Sequence, residues 1–385
     1  MIPYGRQFIS EDDIDAVVKV LKSDFLTQGP VVPKFEDSIK NYCNVDYAFA
    51  LNSATSALHI ACLALGVEKG DYVWTSANSF VASANCAIYC GASIDFVDID
   101  KVTNNISIQA LEKKLKVAKL ENKLPKVVIP VHLTGQSCEM KEIHKLSIKY
   151  GFSIIEDASH AIGGKYLEEP IGNCEYSDVC VFSFHPVKII TTGEGGVATT
   201  NDPSLALKID QLRSHGITRN SEHMEFEPHG DWYYEQLLLG FNYRMTDIHA
   251  ALGLSQMNKL DESVQKRNII AKRYNEQLNK LPLVLPTVIK NSYSSMHLYV
   301  IKLDSEITNI THKKVFDELR KEKILVNIHY IPIYFHPFYK KLGFKEGYCP
   351  QSEDYYRRAI SIPMFPTLEI EEQNKVVTTL KNIFK

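Results

Sequence analysis

The sequence predicts an α/β protein in which a large domain holds a mostly parallel sheet and a smaller C-terminal domain is α+β. Three observations carry that reading. Short β-branched runs alternate with helical patterns through the first half of the chain, as in strands joined by crossover helices. After about Ala250 the texture changes to a long charged helical stretch broken by prolines. The length of 385 residues exceeds what one compact core usually serves, so two domains are expected, over 1–250 and 251–385.

Ser10 before Glu11, Asp12 and Asp13 reads as an N-cap followed by an acidic first turn, and opens an amphipathic helix through Val17, Val20 and Leu21. In LTQGP, Gly29 and Pro30 turn the chain before a second helix that starts near Pro33 and runs through Phe35 and Ile39. Tyr47 to Leu51 form a short apolar strand, after which NSATSALHIACLAL opens a helix rich in Ala and Leu. The unit recurs in DYVWTS with SFVASANCAIYCG, and in ASIDFVDID with a helix around Ile108 to Lys119. It recurs again in KVVIPVHL with a helix from Glu139 to Tyr150, and in GFSIIEDAS. Ligands of such sheets sit beyond the carboxyl ends of the strands. Asn52 to Ser56, Asp157 to His160 and the residues after Phe182 fall there.

The second half begins with MNKLDESVQKRNIIAKRYNEQLNKL, a long charged helix stopped by Pro282 and Pro286, where a hinge is expected. SMHLYVIKL, a helix around His312 to Lys321, ILVNIHY, a helix near Ser352 to Ile360 and a last helix from Glu369 make up the smaller domain. There is no internal repeat and no low-complexity tract.

A formal charge of -3 and a pI near 6.5 give no global footprint for nucleic acid or an anionic membrane. The opening MIPYGRQFISEDDIDAV lacks a basic region followed by an apolar run, so no signal peptide is expected, and nothing approaches a membrane-spanning segment. Eight cysteines without paired CxxC spacing are expected to be reduced thiols of a soluble, cytoplasmic protein. No HExxH or clustered Cys/His pattern calls for a metal.

The chemistry centres on SDVCVFSFHPVKIITTGEGGVATTND, where a strand leads into a loop holding Lys188 and a glycine cluster. Asp157 falls just past a buried strand, where an ionised carboxylate is costly without a cationic partner. A pyridinium nitrogen is such a partner, and a lysine that holds an aldehyde as an imine is the other requirement of pyridoxal phosphate chemistry. NSATSAL offers Ala54, Thr55 and Ser56 at a helix start, where backbone N–H groups and small hydroxyls suit a phosphate. Taken singly, each piece has a plainer reading. Asp157 and NSATSAL can both be helix caps, and a lone lysine is most often a solvated charge. GEGGVA meets a relaxed GxGxxA pattern, but VATTND after it reads as strand and turn, which disfavours a dinucleotide site. Ser183, His185 and Asp178 lack the GxSxG context of a hydrolase.

In their order along the chain, NSATSALH, EDASHAIG, SFHPVKIITTGEGG and GFNYRMTDIHAALGLSQ resemble the motifs of the DegT/DnrJ/EryC1/StrS sugar aminotransferases. The resemblance covers nearly the whole chain. It implies the aspartate aminotransferase-like fold (type I of the pyridoxal phosphate enzymes), with a mostly parallel mixed sheet in the large domain. It further implies pyridoxal 5′-phosphate as cofactor, Lys188 as the imine-forming lysine, and Asp157 as partner of the ring nitrogen. Relatives that dehydrate sugars carry histidine where this chain has Lys188, so amino transfer is expected. Ala54, Thr55 and Ser183 are implied as phosphate contacts, His160 as a neighbour of the ring hydroxyl, and Phe80 as the aromatic stacked on the ring. Asn242 is implied to reach the phosphate bound by a neighbouring subunit, which implies a homodimer with shared active sites. IPYGRQ, DFLTQGPVVPKFE, HLYVI and VNIHYIPIYFHPFY look most like the subgroup making UDP-4-amino-4,6-dideoxy-N-acetyl-β-L-altrosamine. From them Tyr4, Gln28, Arg213, His215, Tyr299 and Tyr330 are suggested as contacts for a UDP-sugar, with L-glutamate as donor. EFEPHGDWYYEQ is expected as a loop that orders over substrate. A relative acting on another nucleotide 4-keto sugar, and a regulator that keeps the fold without turnover, are the competing expectations.

Overall fold

The computed structural model describes residues 1–385. Seven strands make the central sheet: β1 (Tyr47–Leu51), β2 (Tyr72–Ser76), β3 (Ser93–Val97), β4 (Val127–Ile129), β5 (Ser153–Asp157), β6 (Val179–Ser183) and β7 (Gly196–Thr200). Their spatial order is β1-β7-β6-β5-β4-β2-β3. Only β7 runs against its neighbours, β1 and β6, and every other pair is parallel. The sheet is therefore mixed and mostly parallel, as the alternation of short apolar runs and helices implied. β6 and β7 are buried at every position because helices cover both faces.

The covering helices include α1 (Glu11–Leu21), α2 (Val31–Cys43), α3 (Ala54–Ala64), α4 (Ala82–Tyr89), α5 (Ile108–Leu120), α6 (Met140–Tyr150), α7 (Pro203–Arg213) and α8 (Asp247–Met257). Ser10 and Asp13 form the capping box that starts α1. Asp13 is itself buried and accepts hydrogen bonds from Ser255 Oγ (2.6 Å) and Gln256 Nε2 (2.7 Å), which ties α1 to α8. The turn before α2 is held in the same way. Asp247 at the start of α8 accepts from the amides of Gly29 (2.7 Å) and Val31 (2.8 Å), so the helix begins at Val31, two residues ahead of Pro33.

Between β1 and α3 the packing is tight enough to demand glycine. A Cβ on Gly196 would stand 2.4 Å from Ala54 N and 2.6 Å from Ala54 Cα. β7 therefore passes flush under the start of α3. Gly196→Ala is expected to cost about 1–3 kcal/mol through overpacking. Urea unfolding reads that loss, and unchanged stability would show that α3 has room to move.

The second core lies around a small sheet of β8 (Leu283–Val284), β9 (Tyr299–Leu303) and β10 (Ala359–Ile362), all antiparallel. Around it pack α9 (Leu260–Leu278), α10 (His312–Lys321) and α12 (Ile370–Ile383), with α11 (Pro350–Arg358) leading into β10. The expected helix at Ser352 to Ile360 is corrected at its end. Ala359 leaves the helix and pairs with Lys302, because AISI is a fully buried, β-branched run with alternating partners on β9. ILVNIHY is largely extended yet contributes only isolated bridges, Ile324 to Ile2 and Asn327 to Ser361. α9 spans the two cores. Leu260 and Val264 pack with Phe35 and Phe182, whereas Ile270, Tyr274 and Leu278 pack with Ile301 and Val315. No helix is long and apolar enough to cross a membrane.

Candidate active site

Because β5 and β6 are adjacent and parallel, their carboxyl ends deliver Asp157 and Ser183 side by side. The loop after β6 carries Lys188, and the turn after β1 brings up the start of α3. These elements enclose a cavity of about 720 Å³ lined by Ala54, Thr55, Phe80, Asp157, His160, Ser183 and Lys188. Tyr4 and Tyr330 stand on the same wall.

Asp157 is 4% exposed and has no cationic side chain to pair with. Its Oδ2 accepts from Ser83 Oγ at 2.6 Å and its Oδ1 from the Ser159 amide at 3.1 Å. Ser83 in turn lies 2.7 Å from Ser79 Oγ. Turns, not a helix, follow Asp157, so helix capping does not account for it. Across the cavity Lys188 is half-buried, and burial pushes its amine down to about 8 against the opposing pull of the Asp157 charge. A lowered pKa means that the neutral amine gains ground as pH rises through about 8. At pH 7.5 roughly a quarter of such amines are neutral, against about one in a thousand for an ordinary lysine. Capture of an aldehyde by the cofactor-free protein should therefore speed up about tenfold per pH unit and level off near pH 8. Stopped-flow absorbance reads this, and a rise continuing to pH 10 would refute the shifted amine.

His160 is buried, and desolvation together with the nearby Lys188 and His329 holds its pKa well below the usual histidine value. Its Nδ1 accepts from the Thr134 amide at 3.3 Å. The neutral ring then carries its proton on Nε2, which donates to Tyr330 Oη at 3.1 Å. Thr134 holds φ at 63°, an unfavourable value for a β-branched residue, and from there its N–H reaches His160. Asn78 Oδ1 accepts from the Tyr330 amide at 3.0 Å and positions that ring.

At the start of α3, Ser53 Oγ accepts from the Ser56 amide, and the Ala57 amide bonds to Ser53 O. The amides of Ala54 and Thr55 are left free, as in any first helical turn, and both residues face the cavity. Phe80 is not a core residue. It is 58% exposed at the cavity, with its ring 6.1 Å from that of Tyr330.

Other suggested residues lie elsewhere. Tyr299 is corrected: it is fully buried, packs on Tyr274 and bonds to Asn275 Oδ1, so it belongs to the second core. Arg213 does not line this chain's cavity, and its guanidinium pairs with Glu36, Asp210 and the Ala50 carbonyl. Gln28, His215 and Asn242 are exposed and do not line this chain's cavity. His215 and Asn242 share one crossing, where the His215 amide bonds to Phe241 O and Ser214 bridges Asn242.

The structure adds residues that the sequence left unmarked. Ser83 and Thr134 orient Asp157 and His160, and His297 and His329 crowd the cavity floor. The His160 and His297 ring centroids are 4.4 Å apart, and His329 Nδ1 is 2.8 Å from Ser361 Oγ. Only HLYVI and VNIHY carried a signal there, as segments rather than as histidines.

These groups fit pyridoxal 5′-phosphate. The free amides of α3 with Ser183 match its phosphate, and the glycine under Ala54 keeps that cradle open. The unpaired buried carboxylate matches a pyridinium, the shifted amine matches an aldehyde, and the exposed Phe80 face matches a flat ring.

The comparisons agree. Residues 7–381 match the DegT/DnrJ/EryC1/StrS aminotransferase family. The chain is 39% identical over 386 residues to the UDP-4-amino-4,6-dideoxy-N-acetyl-beta-L-altrosamine transaminase of Campylobacter jejuni, covering 100% of this chain and 98% of that one. PseC of Helicobacter pylori, an aminotransferase of pseudaminic acid biosynthesis, superimposes with a TM-score of 0.90 at 32% identity, over 100% of this chain and 99% of PseC. Spr1654 of Streptococcus pneumoniae in its PLP-form gives 0.88 at 28% identity, over 99% and 98% of the two chains. With the fold, the cavity and a match over nearly its whole length in agreement, the chain belongs to the DegT/DnrJ/EryC1/StrS aminotransferase family.

Proposed function

We propose that this enzyme aminates C4 of a UDP-linked 4-keto-6-deoxy-N-acetylhexosamine, UDP-2-acetamido-2,6-dideoxy-β-L-arabino-hex-4-ulose, with L-glutamate as donor. The products are UDP-4-amino-4,6-dideoxy-N-acetyl-β-L-altrosamine, for pseudaminic acid and the glycosylated flagellin or surface polysaccharide built from it, and 2-oxoglutarate. The full-length likeness to the altrosamine transaminase carries the choice of sugar.

The cofactor is pyridoxal 5′-phosphate, which supplies an aldehyde to bind amines and a ring to accept electrons from the donor's Cα. Lys188 would hold the cofactor's aldehyde carbon and, as a free amine, would take the proton from the glutamate Cα. The shifted pKa keeps a useful fraction of that amine unprotonated near neutral pH. Asp157, fixed by Ser83 and Ser159, keeps the ring nitrogen protonated. His160 stays neutral, and its Nε2–H donates a hydrogen bond to Tyr330 Oη, which restrains both side chains on the cavity wall. Ala54, Thr55 and Ser183 would hold the phosphate, and Phe80 offers the flat face for the ring.

The working unit in this reading is a homodimer, since Gln28, His215 and Asn242 are exposed outside this chain's cavity and can serve a second copy's site. The exposed rings of Phe226, Trp232 and Tyr234 suit the 224–236 segment to the same interface and to covering substrate. Two domains meeting within α9, and a cytoplasmic location consistent with eight unpaired cysteines, complete the proposal.

The test is to supply glutamate with each of two keto sugars, the β-L-arabino compound and UDP-2-acetamido-4-keto-6-deoxy-D-glucose, and to read C4 and C5 of the product by NMR. Amination of the first is expected. Turnover of the D-glucose-derived sugar alone would overturn the substrate, and failure of both would remove it while leaving the cofactor assignment to its own tests.

A further inference from the structure

Beside the loop that carries Lys188 lies a second, much smaller cavity of about 40 Å³. One water needs roughly 10–15 Å³ of such space, so it suits about three waters or one small oxyanion. Its wall is cationic. Arg6, Lys188, Lys259, Lys266 and Arg267 line it, and Glu262 is the one carboxylate among the lining residues.

Arg267 sets the character of the cavity. The residue is 1% exposed, and burial alone accounts for a pKa pushed down to about 9, with no carboxylate opposing it. Nη1 donates to the carbonyls of Met296 (3.4 Å), His297 (3.1 Å) and Met364 (3.1 Å), while Nε has no acceptor. A buried guanidinium with neither counter-charge nor full hydrogen bonding is costly. Lys259 and Lys266 have partners in Asp13 (3.3 Å) and Glu262 (2.6 Å). Arg6 has none and stands 5.6 Å from the Phe365 ring centroid. Lys259 is the residue that precedes α9, and Lys266 and Arg267 follow two turns later on the helix, so one helix start brings three cationic residues to this cavity.

We propose that this cavity binds a small oxyanion, either a free phosphate-type ion or the carboxylate of a small organic acid. The anion supplies the counter-charge that Arg267 lacks and an acceptor for its Nε. Arg6 and Lys266 are solvent-exposed, so the site can be reached. Lys188 lines both this cavity and the larger one, so an anion bound here lies beside a residue of the larger cavity and couples the two sites.

The test uses the cofactor-loaded protein at fixed ionic strength, titrated separately with inorganic phosphate, acetate and glutamate. The thermal midpoint and, for phosphate, the phosphorus-31 line width are followed. A saturable response is expected from at least one of the anions, with at least tenfold weaker apparent affinity in an Arg6→Ala/Lys266→Ala double variant. Arg267→Gln should abolish the response, and if that variant does not fold the double variant decides. Competition of acetate or glutamate with phosphate assigns a carboxylate ligand, and a response to phosphate alone assigns an inorganic one. No saturation by any of the three, or equal affinity in wild type and double variant, overturns the proposal.

Discussion

Lys188→Ala is expected to lower amino transfer by about four orders of magnitude, because one side chain provides both the covalent anchor and the base. The remaining rate comes from orientation alone. Two measurements separate this from a folding defect. After borohydride treatment the wild-type protein should retain cofactor mass on the peptide containing Lys188, and the variant should retain none. The variant should also keep its thermal midpoint within a few degrees, since Lys188 is half-buried on a cavity wall and makes no side-chain ion pair in the fold. A variant that folds and turns over at more than a hundredth of the wild-type rate would rule out Lys188 as the base.

Asp157→Asn is the second large effect, with an expected fall of about 10²–10³-fold, corresponding to roughly 3–4 kcal/mol for leaving a buried charge without its partner. The amide keeps the shape, and its oxygen can still accept from either Ser83 or Ser159. What it removes is the negative charge that holds the ring nitrogen protonated. The loss should therefore fall on kcat, with cofactor affinity reduced less, and a change confined to KM would contradict the assignment. Ser83→Ala removes one of the two donors to the carboxylate without touching its charge. A loss of about tenfold is expected, in line with one hydrogen bond to a charged group, and kinetics alongside Asp157→Asn would show whether the two substitutions act through the same atom.

The differences between sequence and structure have particular causes. Ser10 and Asp13 are three residues apart, and Ser53 and Ser56 likewise, so their caps are local events that a residue pattern reports directly. Asp157 and Lys188 were legible because Asp157 ends one strand and Lys188 sits in the loop after the next, and neighbouring strands β5 and β6 carry them to the same edge. Tyr299 and Arg213 take their surroundings from remote segments. Tyr299 is one of an alternating set on a strand whose burial depends on helices tens of residues away. Arg213 meets Glu36 from across the chain. The helix expected to Ile360 stops at Arg358, because Ala359 and Ile360 pair with a strand, Tyr299 to Lys302, that is remote in sequence.

The sequence by itself determined the order of strands and helices, the mostly parallel sheet, and which residue types stand at the strand ends. Periodicity, caps and turns are short-range physics, and an ordered set of such motifs is specific even when each member is ambiguous. Only the tertiary structure decided what surrounds them. Ser83 reaches Asp157 from 74 positions away, and Thr134 sets the tautomer of His160 from 26. Arg267 lies buried without a counter-charge beside a cavity that no spacing announces. Those relations depend on the packing of separate elements, where the free energy of a polar group is set by what faces it and not by what adjoins it in the chain.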